Sequence, residues 1–135
     1  MIFLLDTNAI SDLMREHSRV EQHLTQMSPA DRVVVCTIVR GEIRYGIERL
    51  SPGRRRLDLE MKASRLFGAV PCEPVPANAA DHYARIKGAS RVKGSSLDEN
   101  DLWIAATALA LGATLVTRDR DFCAVDGLVV ADWTQ

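Results

Sequence analysis

The stretch Met1-Ile-Phe-Leu-Leu-Asp-Thr-Asn-Ala9 decides the architecture. Ile2 to Leu5 form an unbroken apolar run that stops at Asp6. A short run with no polar alternation reads as a strand buried on both faces, the kind found in a parallel sheet. The carboxylate that ends it then stands at the carboxyl edge, where open α/β sheets take their ligands. Asp6 is therefore the first functional candidate. Asp6 or Thr7 equally suits the N-cap of a helix starting near Ala9, so the rest of the chain has to separate the two roles.

Working outward, the next apolar runs repeat this pattern. Val33 to Cys36 is β-branched and reads as a second buried strand. Thr37 fits the N-cap of a helix over 38–50, closed by Ser51-Pro52-Gly53. Residues 113–116 and 127–131 read as later strands, and the first of these also runs into acids, Asp119 and Asp121. Phe122 is expected to anchor that loop, and Asp132-Trp133 to lie at the surface. Helices are expected over 9–16, 20–27, 52–67 and 77–92. A loop is expected over 93–96, and the proline-rich 68–76 has room for a short edge strand at most.

Two helices carry carboxylates in informative places. In the helix over 38–50, Val39, Ile43, Gly46 and Leu50 form an inward stripe. Glu42 lies beside it, roughly 60° from Val39 at about 100° per residue. A carboxylate there faces a cleft, pairs with Arg40 or Arg44, or sits on a solvated edge. The helix over 98–111 is apolar almost all round after its first turn, so it is buried, and Gly112 suits its C′ position. Its opening turn holds Asp98, Glu99 and Asp101. Asp98 fits an N-cap and Asp101 a capping-box partner. A core helix that starts at the carboxyl edge also aims its first-turn carboxylate at Asp6. The run Arg54 to Arg56 reads as a solvated face of a helical hairpin.

The alternation β-α-α-β-α-α-(β)-α-α-β-(α)-β implies an α/β fold, a mostly parallel central sheet with helices on both faces. Right-handed crossovers put the strand ends before Asp6, Thr37 and Thr117 along one edge. Asp6, Glu42, Asp101 and Asp119 or Asp121 then converge. Clustered carboxylates repel one another, and a divalent cation removes that penalty. All-oxygen ligands select Mg²⁺ or Mn²⁺ over Zn²⁺. His17, His23 and His82 lack a pairing motif. A Mg²⁺ site in an acidic cleft handles phosphate, with Arg40, Arg44 and Arg118 placed to hold neighbouring phosphates.

Composition bounds this reading. With 135 residues and 47% hydrophobic content the chain fills one ordinary core, and no composition shift marks a boundary within 1–135. The net charge of −1 argues against coating nucleic acid by bulk charge. Cys36, Cys72 and Cys123 lack zinc-ligand spacing and read as reduced thiols in a cytoplasmic protein. The apolar run before Asp6 is too short for a signal peptide or a membrane span.

Taken together, the motifs resemble a known family. Leu-Leu-Asp6-Thr7-Asn8 is similar to the opening of PIN domains. Arg-Gly-Glu42-Ile-Arg-Tyr-Gly46-Ile-Glu-Arg-Leu50 resembles the second acidic motif of VapC toxins, in particular the FitB-like group. Asp101-Leu-Trp-Ile-Ala-Ala106 resembles the third, and Leu115-Val-Thr-Arg-Asp119-Arg-Asp121-Phe122 the fourth, with Asp132-Trp133 as the common ending.

The resemblance implies one PIN domain over 1–135, a three-layer sandwich with a projecting helical hairpin. It implies the toxin of a type II toxin–antitoxin system, a Mg²⁺- or Mn²⁺-dependent endoribonuclease cutting tRNA or rRNA loops. A homodimer, a cognate VapB-type antitoxin that blocks the cleft, and DNA contact only through that antitoxin come with it. By matching, Asp6, Asp101 and Asp119 take the metal and Glu42 the attacking water. Asp121 competes with Asp119, and Asp98 stands as an extra acid or cap.

Other classes fit less well. A haloacid-dehalogenase-like phosphatase wants a second Asp where Asn8 stands. A receiver domain wants a late-strand Lys that Val116-Thr117-Arg118 does not supply. A non-catalytic binding module has no use for four acids. A DNA nuclease shares the same acidic chemistry.

Overall fold

A computed structural model describes residues 1–94 and 97–135. Residues 95 and 96 of the loop expected over 93–96 lie outside the described residues. Among the described residues five strands, β1 (Ile2–Leu5), β2 (Arg32–Cys36), β3 (Cys72–Glu73), β4 (Thr114–Val116) and β5 (Val130–Ala131), form one sheet in the order β3-β2-β1-β4-β5. Every pairing is parallel. Leu4 lies opposite Val34 on one side and Leu115 on the other. All three are fully buried, as are Leu5, Val35 and Cys36. Apolar residues on both faces of these strands leave no polar face to turn to water, so helices must cover both sides.

Among the described residues six helices do so: α1 (Thr7–Met14), α2 (Ser18–Thr25), α3 (Thr37–Glu48), α4 (Arg54–Ala69), α5 (Ala79–Lys93) and α6 (Glu99–Leu111). The chain moves outward from β1 through β2 to β3, then returns past β1 to β4. Right-handed crossovers require the connections of the outward path and of the return path to lie on opposite faces. The reversal makes the β1–β4 boundary a topological switch point, with a crevice beyond the carboxyl ends of those strands. α6 is the buried helix that its composition demands, with Leu102, Ile104, Ala105, Ala106 and Ala108 almost without exposure. α5 clamps it, Tyr83 stacking on Trp103 at 4.0 Å.

Several details depart from the sequence reading. Trp133 is buried, not at the surface. His23 of α2 stacks on its indole at 5.4 Å and Phe3 packs at 5.5 Å, so the large apolar ring closes the end of the core. The inward stripe of α3 is Val39, Ile43 and Ile47, because the helix ends at Glu48, before Leu50. Thr37 begins α3 instead of capping it, Cys36 holding the N-cap position, and the Thr37 hydroxyl donates to the Glu73 carbonyl at 3.4 Å. The last strand shrinks to two residues because Gly127, at φ 82°, opens a turn first. Arg54 and Arg55 are exposed, but Arg56 folds back across the α3–α4 hairpin. It meets Glu48 at 3.0 Å and Glu60 at 2.9 Å, and donates to the Leu50 carbonyl at 3.1 Å. All three cysteines are free thiols.

Two glycines give opposite tests of the backbone. Gly112 ends α6 in the left-handed region at φ 64°, with open space where a Cβ would stand. Gly112→Ala is expected to cost about 1 kcal/mol from backbone strain alone. Gly88 lies inside α5, also facing open space. Gly88→Ala is expected to add roughly 0.5–1 kcal/mol. Urea unfolding midpoints at unchanged slope measure both, and equal signs would contradict this account.

Candidate functional site

At the switch point an open cleft of about 260 Å³ is lined by Asp6, Glu42, Asp101 and Asp119. The four come from four segments. Asp6 follows β1, and its N–H donates to the Val116 carbonyl at 3.1 Å, so the β1–β4 ladder runs to the carboxylate itself. Its Oδ1 accepts from the Ala9 N–H at 2.9 Å, capping α1. The cap and the cleft are therefore one placement, not alternatives. Asp6 is only 3% exposed.

Glu42 is positioned by two neighbours. The Thr7 hydroxyl donates to its Oε1 at 2.6 Å, and Asn100 Nδ2 to its Oε2 at 3.3 Å. The expected alternative, a pair with Arg40 or Arg44, is not what the structure holds. Both guanidinium groups sit over the Phe67 ring, at 5.3 and 5.4 Å. They are absent from the cleft lining, which takes Arg15 and Arg118 instead.

Asp101 lies in the first turn of α6, where Asp98 is the N-cap. The Asp101 N–H donates to Asp98 Oδ1 at 2.8 Å. This is the N-cap half of the capping box that the spacing suggested. Asp119 caps a short 3-10 turn over 120–124, its Oδ1 accepting from the Asp121 N–H at 3.0 Å. Of the two competing acids, Asp119 faces the cleft and Asp121 does not line it. Phe122 is buried and anchors this turn.

The electrostatics follow from the crowding. Burial pushes the Asp6 carboxyl up to about 6, with Asp119 adding to the rise, while the Thr117 hydroxyl, the Ala9 N–H and Arg118 oppose it. Burial also pushes Asp101 up to about 7, and repulsion from Asp98, Asp119 and Glu42 adds to it. Carboxyls held against one another away from bulk water are the arrangement that a cation relieves. The donors are all oxygen, which suits a hard ion such as Mg²⁺ or Mn²⁺. Among the described residues no three His, Cys, Asp or Glu side chains close into a ready-made ligand cluster. The carboxylates instead ring an open cleft, a fit for an ion that keeps several of its own waters.

The sequence reading missed the supports of this cleft. Asp12 is 3% exposed and pairs with Arg15 at 2.6 Å and Arg118 at 3.1 Å. Asn8 Oδ1 accepts from the Arg118 N–H at 3.4 Å, fixing the loop after β4 against α1. A signal was available: Asp12 falls among Ala9, Ile10 and Leu13 on the apolar side of α1, three residues before Arg15. His17, His23 and His82 do not line the cleft.

Known proteins resemble this chain in sequence and fold. The PIN domain family matches residues 3–128. Ribonuclease VapC1 of Haemophilus influenzae strain R2866 is 30% identical, covering 100% of both chains. Toxin FitB of Neisseria gonorrhoeae is 32% identical over 98% of this chain and 99% of its own. The structure of VapBC-1 from nontypeable Haemophilus influenzae superposes with a TM-score of 0.89 at 28% identity, covering 100% of both chains. Sequence match and fold agree, and the chain belongs to the PIN domain family.

Proposed function

We propose that this chain is the toxin of a type II toxin–antitoxin pair and acts as a Mg²⁺- or Mn²⁺-dependent endoribonuclease. The observation that carries the reading is the meeting of four carboxylates from four segments in one cleft at the switch point. The names of the relatives, a VapC ribonuclease and a FitB toxin, support it. The substrate is RNA, with exposed tRNA or rRNA loops as the targets. A VapB-type antitoxin is the partner, as the VapBC-1 assembly suggests, and any contact with DNA runs through that antitoxin. A homodimer working in the cytoplasm completes the proposal.

Asp6, Asp101 and Asp119 are the residues that would hold the metal. When bound, a hard divalent ion supplies the positive charge that favours water as nucleophile and stabilises the leaving oxygen. Glu42 orients the attacking water and takes its proton at a carboxylate oxygen. Thr7 and Asn100, one on each oxygen of Glu42, fix the plane of that carboxylate. The caps fix Asp6 and Asp119 through their Oδ1 atoms. Such prior placement is what lets charged groups act without reorganising during the reaction.

Asp101→Asn is expected to keep the fold and lower Mg²⁺-dependent RNA cleavage at least ~100-fold. Fragment analysis of labelled tRNA and rRNA, with and without EDTA, measures it. Full activity of the variant in excess Mg²⁺ would refute the assigned role, and EDTA-insensitive cleavage would refute the metal. Single-stranded DNA in the same assay separates an RNA from a DNA nuclease, and mapping new 5′ ends in cells identifies the target.

Metal binding is also readable as stability. Mg²⁺ at about 100 times its Kd is expected to add about 2.7 kcal/mol and raise the melting temperature by several degrees. In Asp101→Asn the metal-free melting temperature should hold or rise, because repulsion from Asp98, Asp119 and Glu42 is relieved. The Mg²⁺-induced rise should vanish. A wild-type melting curve that ignores both Mg²⁺ and Mn²⁺ would count against the metal site.

A further inference from the structure

Asp12 is a carboxylate that the metal chemistry does not use. Its side chain is 4% exposed, and a buried charge is costly without partners. It has two: Oδ1 takes a terminal nitrogen of Arg15 at 2.6 Å, and Oδ2 takes Nε of Arg118 at 3.1 Å. The two arginines come from the end of α1 and from the loop after β4, so Asp12 ties together segments 106 residues apart. Their side chains keep 66% and 46% exposure, and both line the acidic cleft.

A guanidinium carries five N–H donors, and the contacts to Asp12 engage one nitrogen of each arginine. Donors therefore remain on both. The Arg118 main chain is held as well, through its N–H to Asn8. The cleft presents four carboxylates, and a polyanion approaching it meets repulsion unless cations stand at its rim. Arg40 and Arg44 are spent over Phe67, and Arg56 is spent inside the hairpin. Arg15 and Arg118 are the cations left in the cleft lining.

We infer that Arg15 and Arg118, set by buried Asp12, form a phosphate-binding edge that holds a backbone phosphodiester of the RNA strand next to the one cleaved. The inference rests on the nuclease reading for its substrate. Asp12 is a positioning residue: it touches no substrate and acts through the two guanidinium groups. Arginine suits this task because its planar fork meets two phosphate oxygens at once, which a lysine ammonium cannot do.

The test uses the intact chain, Mg²⁺ and a labelled single-stranded RNA oligonucleotide, with initial rates measured against RNA concentration over a KCl series. Arg15→Ala and Arg118→Ala are each expected to raise KM about 10-fold, the size of one lost charge-assisted hydrogen bond, with kcat within about 3-fold of wild type. Each should flatten the dependence of log KM on log salt by about 0.7, one single-strand phosphate contact. Arg118→Lys should restore the salt slope while KM stays raised. Asp12→Asn should raise KM in the same direction with kcat retained. Melting curves accompany each variant, and if Arg118→Ala fails to fold, exposed Arg15→Ala and Arg118→Lys decide.

Unchanged KM and salt slope in both alanine variants, with only the melting temperature lowered, would overturn the inference and leave the triad as a structural ion pair. Fluorescence anisotropy with the same oligonucleotide keeps the two readings apart. Binding that weakens in the arginine variants, in a protein that never cleaves, would sustain the phosphate edge and sink the nuclease. A wild-type chain that neither binds nor cleaves would sink both.

Discussion

Everything in this molecule depends on two buried parallel strands that end side by side and lead into Asp6 and Asp119. β1 and β4 pair through Leu4–Leu115 and Leu5–Val116, and the ladder closes with the Asp6 N–H on the Val116 carbonyl. That last hydrogen bond belongs to the backbone, so Asp6 cannot leave the sheet edge without breaking the fold. Asp119 stands three residues past the end of β4, where its N–H donates to Thr117 Oγ1 at 3.0 Å. The crevice beyond these strand ends exists because the chain reverses direction there, not because any side chain carves it.

Around this fixed point the fold holds groups that repel. Asp6 and Asp101 are both driven toward the protonated form by loss of water, and each is made worse by other acids of the cleft. An ordinary core would have replaced such groups by apolar ones, since satisfied hydrophobic contacts cost less than unrelieved charge. Two kinds of counterweight are visible. The Ala9 N–H at the start of α1 donates to Asp6, and Asp101 lies in the first turn of α6, so each carboxylate stands near the positive end of a helix dipole. Two arginines, balanced by Asp12, stand at the rim. Neither cancels the crowding at the centre, where the charge remains for a cation to meet.

Much of this was legible from the chain, and what was not has a physical reason. Unbroken apolar runs before Asp6, Thr37 and Thr117 mark strands buried on both faces, and the sheet bears all three out. The all-round apolar character of α6 and its closing Gly112 were equally plain. Placements set by partners far along the chain were hidden. Trp133 looked terminal and exposed until His23 and Phe3 covered it. Arg40 and Arg44 looked free until Phe67 of the next helix came beneath them. The pairing of Asp12 with Arg118 was hidden, because it depends on β1 lying beside β4. Local spacing reports capping and periodicity, and tertiary contacts report everything else.

The coincidence of caps and cleft acids is more than economy of residues. An N-cap carboxylate is fixed by one oxygen bonded to an N–H of the next turn. Asp6 and Asp119 both bind this way through Oδ1, and neither side chain depends on a floppy rotamer for its direction. A site assembled from caps is therefore as rigid as the helices and turns it starts, and that rigidity is what a charge-handling site needs. The arrangement also separates fold from chemistry, because Asn caps a helix about as well as Asp does. The cap demands an oxygen acceptor and the cleft demands a negative charge. At Asp6 one side chain meets both demands with different properties of the same group, so the charge can be removed while the cap is kept.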